Sequence, residues 1–447
     1  MIGSVTDDFT GTASAGVLIA KSQAATGLFF DADAVKNFKD RERLEAIFVS
    51  SNSRHLLPAE AYASVFSTTE ELKKIGVNYF SKKIDTTLRG GIGYEIDAML
   101  DCLANDSVAV VVTAMPQSKR ICIGGFSVID GVLLTETSIA KDVKTPVNEC
   151  YVPTLLSKQS LNKISMVTID QVIKGANSLT DVMFAERESG SKIIVVDAIT
   201  LDHIDIIAQA CLNTGWNILA VDPGPFTMKL NYHRGLVKDL VSVDTPEQYC
   251  TNGKVALFVV GSANPLTKVQ MSNLCNGDGK NILVSVSPYS LIEGGATAQQ
   301  EVDRVVEQTL TLINGPVSPE AIIIETALHN SVVVLKDEDC KREYLPGTSS
   351  QLINSGLAEI TDKIISACGQ EKIAGLLLTG GDTMESVCRK LEVSCIQAID
   401  NIVAQVDIGK IIGKYDGLPV VVKGGFCGHE NIGKEIVKRI FIESTLA

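Results

Sequence analysis

A chain of 447 residues with 40 Lys plus Arg against 53 Asp plus Glu carries a formal net charge of −13. That acidic balance argues against nucleic acid or an anionic membrane as the main partner, because both reward a basic face. The length exceeds what one hydrophobic core usually organises, so two domains of roughly 200 residues each are expected.

The first predicted element is a short strand inside "MIGSVTDDFTG", which leaves Asp7 and Asp8 in a loop at its end. Ligands of α/β proteins sit in the crevice beyond the carboxyl ends of parallel strands, so a carboxylate pair there is better placed for substrate hydroxyls than for packing. The apolar run "EAIFVSS" predicts a second strand, followed by Asn52 and Arg54 in a turn that carries little information alone. "VNYFSKKID" predicts a third, and after it come Lys83, Asp85, Thr86 and Arg89. The helical spacing of Ile92, Ile96, Met99, Leu100 and Leu103 then confines that polar group to the loop. Arg89 suits bidentate contact with a carboxylate, Lys83 offers a compact positive charge, and Asp85 can accept hydrogen bonds from sugar hydroxyls. The alternative is a solvated loop whose arginine pairs with a neighbouring aspartate.

Further strands are predicted at "VAVVVTAMP", "KIIVVDAIT" and "NILAVDPGP", with Lys119 and Arg120 after the first read as surface residues. Their alternation with amphipathic stretches is the signature of βαβ units around a mainly parallel sheet. The segment "HRGLVKDLVSVDTPEQYCTNGK" lacks a strand signal, which sets the boundary between a domain of residues 1–245 and one of residues 254–447. The second series comprises "KVALFVVGSANP", "NILVSVSP", "EAIIIET", "IAGLLLTGGDT" and "LPVVVKGGF".

In "TGGDTMESVCRKL" a strand runs into Gly380 and Gly381, and Asp382 and Thr383 open a helix that buries Met384, Val387, Cys388 and Leu391. Glu385, three residues after Asp382, suggests a capping box. Glycines let backbone N–H groups approach a ligand, and a helix N-terminus favours phosphate. "KGGFCGHENIGKE" supplies a second such loop with Lys423 before Gly424 and Gly425, and Ser262 follows another strand in "VVGSANP". The stretch Gly428 to Lys434 approaches a P-loop, but Glu435 stands where Ser or Thr should bind magnesium. "GGIGYEI" fails the dinucleotide fingerprint at Ile96. The histidines, among them His329 and His429, are too scattered for a metal cage, and the single Trp216 is expected in the core. Eleven cysteines without a C-x-x-C pair indicate reduced, buried thiols. With no signal-peptide layout and no apolar run of membrane-spanning length, a cytoplasmic location is expected.

In order, "TDDFTG", "NSR", "KKIDTTLRG", "GS", "GGDT" and "KGGF" resemble the motifs of the four-carbon acid sugar kinase family across nearly the whole chain. The resemblance implies two α/β domains with mainly parallel sheets: an N-terminal one that binds the sugar acid, a C-terminal one that binds ATP, and transfer in the cleft between them. It implies substrate contacts from Asp7, Asp8, Arg54, Lys83, Asp85, Thr86 and Arg89, and ATP contacts from Ser262, Gly380, Gly381, Asp382, Thr383, Gly424 and Gly425. The chain departs from the family pattern at Ser14 and at Thr86, which keeps a hydroxyl, and retains Arg120 after "MPQSK".

The expected reaction moves the γ-phosphoryl group of ATP to the terminal hydroxyl of threonate, erythronate or a 3-oxo-tetronate. Asp8, Asp85 and Lys83 are the catalytic candidates, with the choice of base open between the two carboxylates, and Asp382 is the candidate magnesium ligand. A non-catalytic sugar-acid sensor and an NAD-linked dehydrogenase remain as alternatives. Assembly into a homo-oligomer stays open, since sequence does not locate exposed apolar patches.

Overall fold

The structure, a computed structural model, describes residues 1–141, 145–238, 246, 248–276, 280–328 and 332–446. The chain divides into two compact α/β units, Met1–Ser242 and Val243–Ala447. The expected boundary at residue 245 and His329 lie outside the described residues.

The first unit contains β1 (Ile2–Thr6), β2 (Thr26–Phe29), β3 (Ala46–Ser50), β4 (Tyr79–Lys83), β5 (Val108–Val111), β6 (Arg120–Ile123), β7 (Phe126–Ile129), β8 (Val132–Leu133), β9 (Ile164–Val167), β10 (Ile193–Val196) and β11 (Ile218–Asp222). Eight of these form a wholly parallel sheet in the order β2-β3-β1-β4-β11-β5-β10-β9, and β6-β7-β8 make a small antiparallel sheet. Strands such as "AIFVS" and "IIVV" are buried along their whole length because helices cover both faces of the sheet. On one side Val110, Val196, Ala220 and Phe226 pack with Leu179, Ile204 and Ile207 from the covering helices.

Strand order decides where a ligand fits. From β1 the chain runs out to β2, returns to β3 between the two, and then crosses to β4 on the other side of β1. The loops after β1, β3 and β4 therefore open at a topological switch point, where such sheets leave a crevice.

The second unit repeats this logic. It contains β12 (Val255–Val260), β13 (Asn281–Ser285), β14 (Ala321–Glu325), β15 (Ile373–Thr379), β16 (Val393–Val403), β17 (Val406–Gly413) and β18 (Pro419–Lys423). These lie in the order β13-β14-β12-β15-β18-β17-β16, with β17 antiparallel to both its neighbours and the remaining pairs parallel. Its switch point falls between β12 and β15. Phe258, Leu377 and Val421 pack there on Ile436, Ile440 and Phe441 of the helix Ile432–Thr445. Among the described residues, no helix is long and apolar enough to cross a membrane.

Candidate functional site

In the first unit, three strand ends bring six charged side chains together. Arg54, from the loop after β3, donates through Nε to Asp7 Oδ2 at 2.7 Å and through Nη1 to Asp8 Oδ2, and its Nη2 lies 3.8 Å from Asp85 Oδ1. Arg89 donates through Nε to Asp85 Oδ2 at 2.7 Å, and the Thr87 hydroxyl donates to the same oxygen. Lys83 Nζ stands 3.6 Å from Asp7 Oδ1, longer than a hydrogen bond, and that buried oxygen accepts none. Three carboxylates thus face three cations, nearly all of them buried.

Local structure explains how they are held. Asp8 is the N-cap of the helix Phe9–Lys21 and accepts from the Gly11 N–H at 2.7 Å. Gly11 leaves room for the lysine, since a Cβ there would lie 2.3 Å from Lys83 Nζ. Leu88 takes a left-handed backbone, φ 58°, while its side chain is buried, so the loop from Asp85 to Arg89 is held in a conformation that a bulky residue avoids.

Charge sets the protonation of the cluster. Burial alone would push the Asp7 carboxyl up, but Arg54, Lys83 and Lys82 together outweigh it and bring it down to about 2. Asp85 is likewise buried, yet Arg54, Arg89 and Lys83 hold it far below the usual carboxylate range. Arg54, surrounded by three aspartates, is driven above its ordinary value against the opposing effect of burial.

A second layer lies on the other face of β4. Successive strand residues point to opposite sides, so Lys83 faces the aspartates while Lys82 turns to the helix Ile92–Cys102. There it meets Glu95 Oε2 at 2.8 Å, with both side chains sealed from solvent. Glu95 Oε1 accepts from Ser53 Oγ at 2.6 Å, and Ser53 is hydrogen-bonded to Ser51, which donates to the Thr6 carbonyl at 2.7 Å. This chain ties the residue before Arg54 to the end of β1.

In the second unit, three strand-end loops meet in a space only glycines allow. A Cβ on Gly261 would lie 2.0 Å from Thr383 Oγ1, and one on Gly425 would lie 2.3 Å from Ser262 Oγ. Gly380 has φ 103°, a backbone that side-chain-bearing residues rarely adopt, and serves as N-cap of the helix Gly381–Lys390. Thr383 donates to Asn354 Oδ1 at 2.7 Å, and Thr267 donates to the Gly425 carbonyl at 2.7 Å. The result is a backbone-lined cradle with a helix N-terminus in its wall, chemistry that suits phosphate. Asp382 is exposed in the first turn of that helix.

Sequence reasoning and structure differ in places. Asp382 makes no capping box: Gly380 is the cap, and Glu385 pairs instead with Arg389 at 2.9 Å. Arg120 is half-buried in β6 and donates to the Ser118 carbonyl, whereas Lys119 is a surface residue paired with Asp130. Trp216 is only partly buried, with the Arg187 guanidinium 4.5 Å over its ring. No disulfide forms among the described residues, and Cys250 and Cys340 are exposed, not buried. His429 is exposed and paired with Glu435. Thr86 is buried beside the cluster, but it is Thr87 that bonds Asp85. Sequence reasoning missed Thr87, Lys82, Glu95 and Ser53. The signal for Lys82 was available: a charged residue inside a buried strand requires a partner.

Two family models match the chain, one described as a sugar-binding N-terminal domain over residues 2–230 and one as a nucleotide-binding C-terminal domain over residues 257–432. A D-erythronate kinase of Heliobacterium modesticaldum is 31% identical over 96% of this chain and 94% of its own length. A D-threonate kinase of Salmonella typhimurium is 27% identical over 96% and 95%. The solved structure of Haemophilus influenzae protein HI1011 has a TM-score of 0.73 over 98% of this chain and all of that one at 20% identity, a likeness of fold.

Proposed function

This chain belongs to the four-carbon acid sugar kinase family, and from that premise we propose that it phosphorylates the terminal hydroxyl of a four-carbon sugar acid, erythronate, threonate or a 3-oxo-tetronate, at the expense of ATP. The observation that carries this reading is the gap between Asp7 Oδ1 and Lys83 Nζ. A buried carboxylate oxygen without a hydrogen-bond partner costs about 1–3 kcal/mol, and here it faces an ammonium 3.6 Å away. A sugar hydroxyl that bridges the two from the side donates to the first and accepts from the second.

In this reading Arg89 and Lys83 bind the acid, with Arg54, Asp7, Asp85 and Thr86 shaping the pocket and orienting hydroxyls. Asp85 is a poor proton acceptor because its three cationic neighbours hold its carboxyl ionised. Asp8, whose side chain is 29% exposed against 3% for Asp7 and 9% for Asp85, is the carboxylate with access to take the proton of the attacking hydroxyl. Phosphoryl transfer asks for positioning and charge stabilisation more than covalent chemistry, which fits such an arrangement.

The cradle of the second unit suits a nucleotide, since Gly261 and Gly425 let the Thr383 and Ser262 hydroxyls come up against the loop backbone, and the space beside Gly381 at the helix N-terminus is open. Ser262, Gly380, Gly381, Thr383, Gly424 and Gly425 would hold the phosphates there. Bound ATP supplies the phosphoryl group, and magnesium offsets the charge of its phosphates. Among the described residues no group of three or more His, Cys, Asp or Glu side chains can hold a metal. Asp382 is the carboxylate beside the cradle, and a cation bridged by one carboxylate, phosphates and water is ordinary for magnesium.

The test is ADP release from Mg-ATP across a panel of four-carbon sugar acids. Turnover with one acid and not with its epimer supports the assignment and names the substrate. No acid-dependent ADP release from protein that binds both ligands would overturn it in favour of a sensor.

A further inference from the structure

Lys423 ends β18, directly before the loop Gly424–Gly425, and its side chain is 1% exposed. Its Nζ donates to the Gly424 carbonyl at 2.9 Å, while its own carbonyl accepts from the Gly380 N–H at 3.3 Å. The residue therefore touches both glycine loops of the cradle. Across the sheet its neighbours are Thr379 on β15 and Val406 on β17, neither ionisable, and the Thr379 hydroxyl beside it is buried without a hydrogen-bond partner. The ionisable group that acts on it is the Cys427 thiol, from the loop that follows, and no carboxylate stands within ion-pair distance of it among the described residues.

A buried ammonium without a counter-ion is costly, and the usual outcome is loss of its proton. We propose that Lys423 is the charge-balancing residue of the nucleotide cradle, which takes up a proton when the phosphates of the nucleotide arrive and so couples nucleotide affinity to pH. This rests on the functional reading above. Burial brings the amine down to about 8, so near that pH part of the population is neutral. An anion in the cradle favours the charged form, and the proton enters from solvent. The charged lysine then donates to the Gly424 carbonyl and fixes the peptide whose next N–H groups face the phosphate. In sign, nucleotide binding weakens as pH rises through about 8 and is insensitive to this group well below it.

The experiment is calorimetric titration of the full chain with Mg-ADP at pH 8, in buffers of widely different ionisation enthalpy, with repeats at pH 6.5 and in Lys423→Met and Lys423→Arg. The expected result is net proton uptake by the wild type at pH 8, little at pH 6.5, and none in either variant, because methionine cannot charge and arginine stays charged. Mg-ADP binding by the wild type without proton uptake at pH 8 would overturn the coupling alone. The same uptake in Lys423→Met would assign it to another group and overturn it equally. If Mg-ADP fails to bind the wild type at any pH, the nucleotide reading falls with it. Should the variants fail to fold, the wild-type pH series decides by itself.

Discussion

Arg54 is the residue on which the charged cluster turns, because it engages Asp7 and Asp8 and approaches Asp85 from one buried position. Its replacement by methionine leaves Asp7 and Asp85 buried beside each other without their shared cation. Removing one partner of a buried ion pair costs about 3–5 kcal/mol, so Arg54→Met is expected to lose that much in urea unfolding and to have no measurable turnover. The same pairing fixes an acid limit. The Asp7 carboxyl is held down at about 2, against 3.8 ordinarily, and Asp85 is held down as well. Their contribution to stability is complete above pH about 4 and is lost as the pH falls through the folded values. Unfolding midpoints measured from pH 5 to pH 2.5 should therefore drop more steeply in the wild type than in Asp7→Asn. At this scale the identity of the cluster was legible, since each member sits at a strand end in the sequence. Its pairing was not: Asp7 and Arg54 are 47 positions apart, and nothing in local spacing says which cation meets which acid.

Elements explain why the site survives its own charge. The Lys82–Glu95 pair joins β4 to the helix Ile92–Cys102 behind the cluster and holds Ser53. Glu95→Gln should cost several kcal/mol by leaving the buried Lys82 without its carboxylate partner, whereas Lys82→Met with Glu95→Leu should recover most of that stability. The double variant still lacks the acceptor for Ser53, so its kcat is expected to stay low. Recovery of stability and full activity together would show that the pair only packs. In the second unit Gly425→Ala puts a methyl group 2.3 Å from Ser262 Oγ. Overpacking of that kind costs about 1–3 kcal/mol of folding stability, and the displaced Ser262 hydroxyl should also weaken Mg-ADP binding, read by calorimetry on the folded variant. The buried parallel strands were plain in the sequence as unbroken apolar runs, among them "VALFVV" and "AIIIE". The hairpin β16–β17 was not, because the exposed Gln397 and the buried carboxylates Asp400 and Asp407 break its apolar pattern. The short "TGLF" of β2 carries too few residues to stand out.

For the whole molecule, the proposed division of labour assigns the acid to one compact unit and the nucleotide to the other. Arg89→Ala should raise the KM for the acid and leave that for Mg-ATP unchanged, and Asp382→Ala should do the reverse. Equal damage to both constants by either variant would contradict the division. Two domains followed from length alone, and the six ordered motifs spread over both halves of the chain, whereas the choice among erythronate, threonate and their oxidised relatives depends on hydrogen-bond geometry that no motif encodes. The central measurement is transfer of label from γ-labelled ATP with magnesium in the presence of each acid, with the product identified by mass. Label carried on the sugar acid is the expected result, and label found only in inorganic phosphate, at a rate no acid changes, would contradict phosphoryl transfer as the function of this chain.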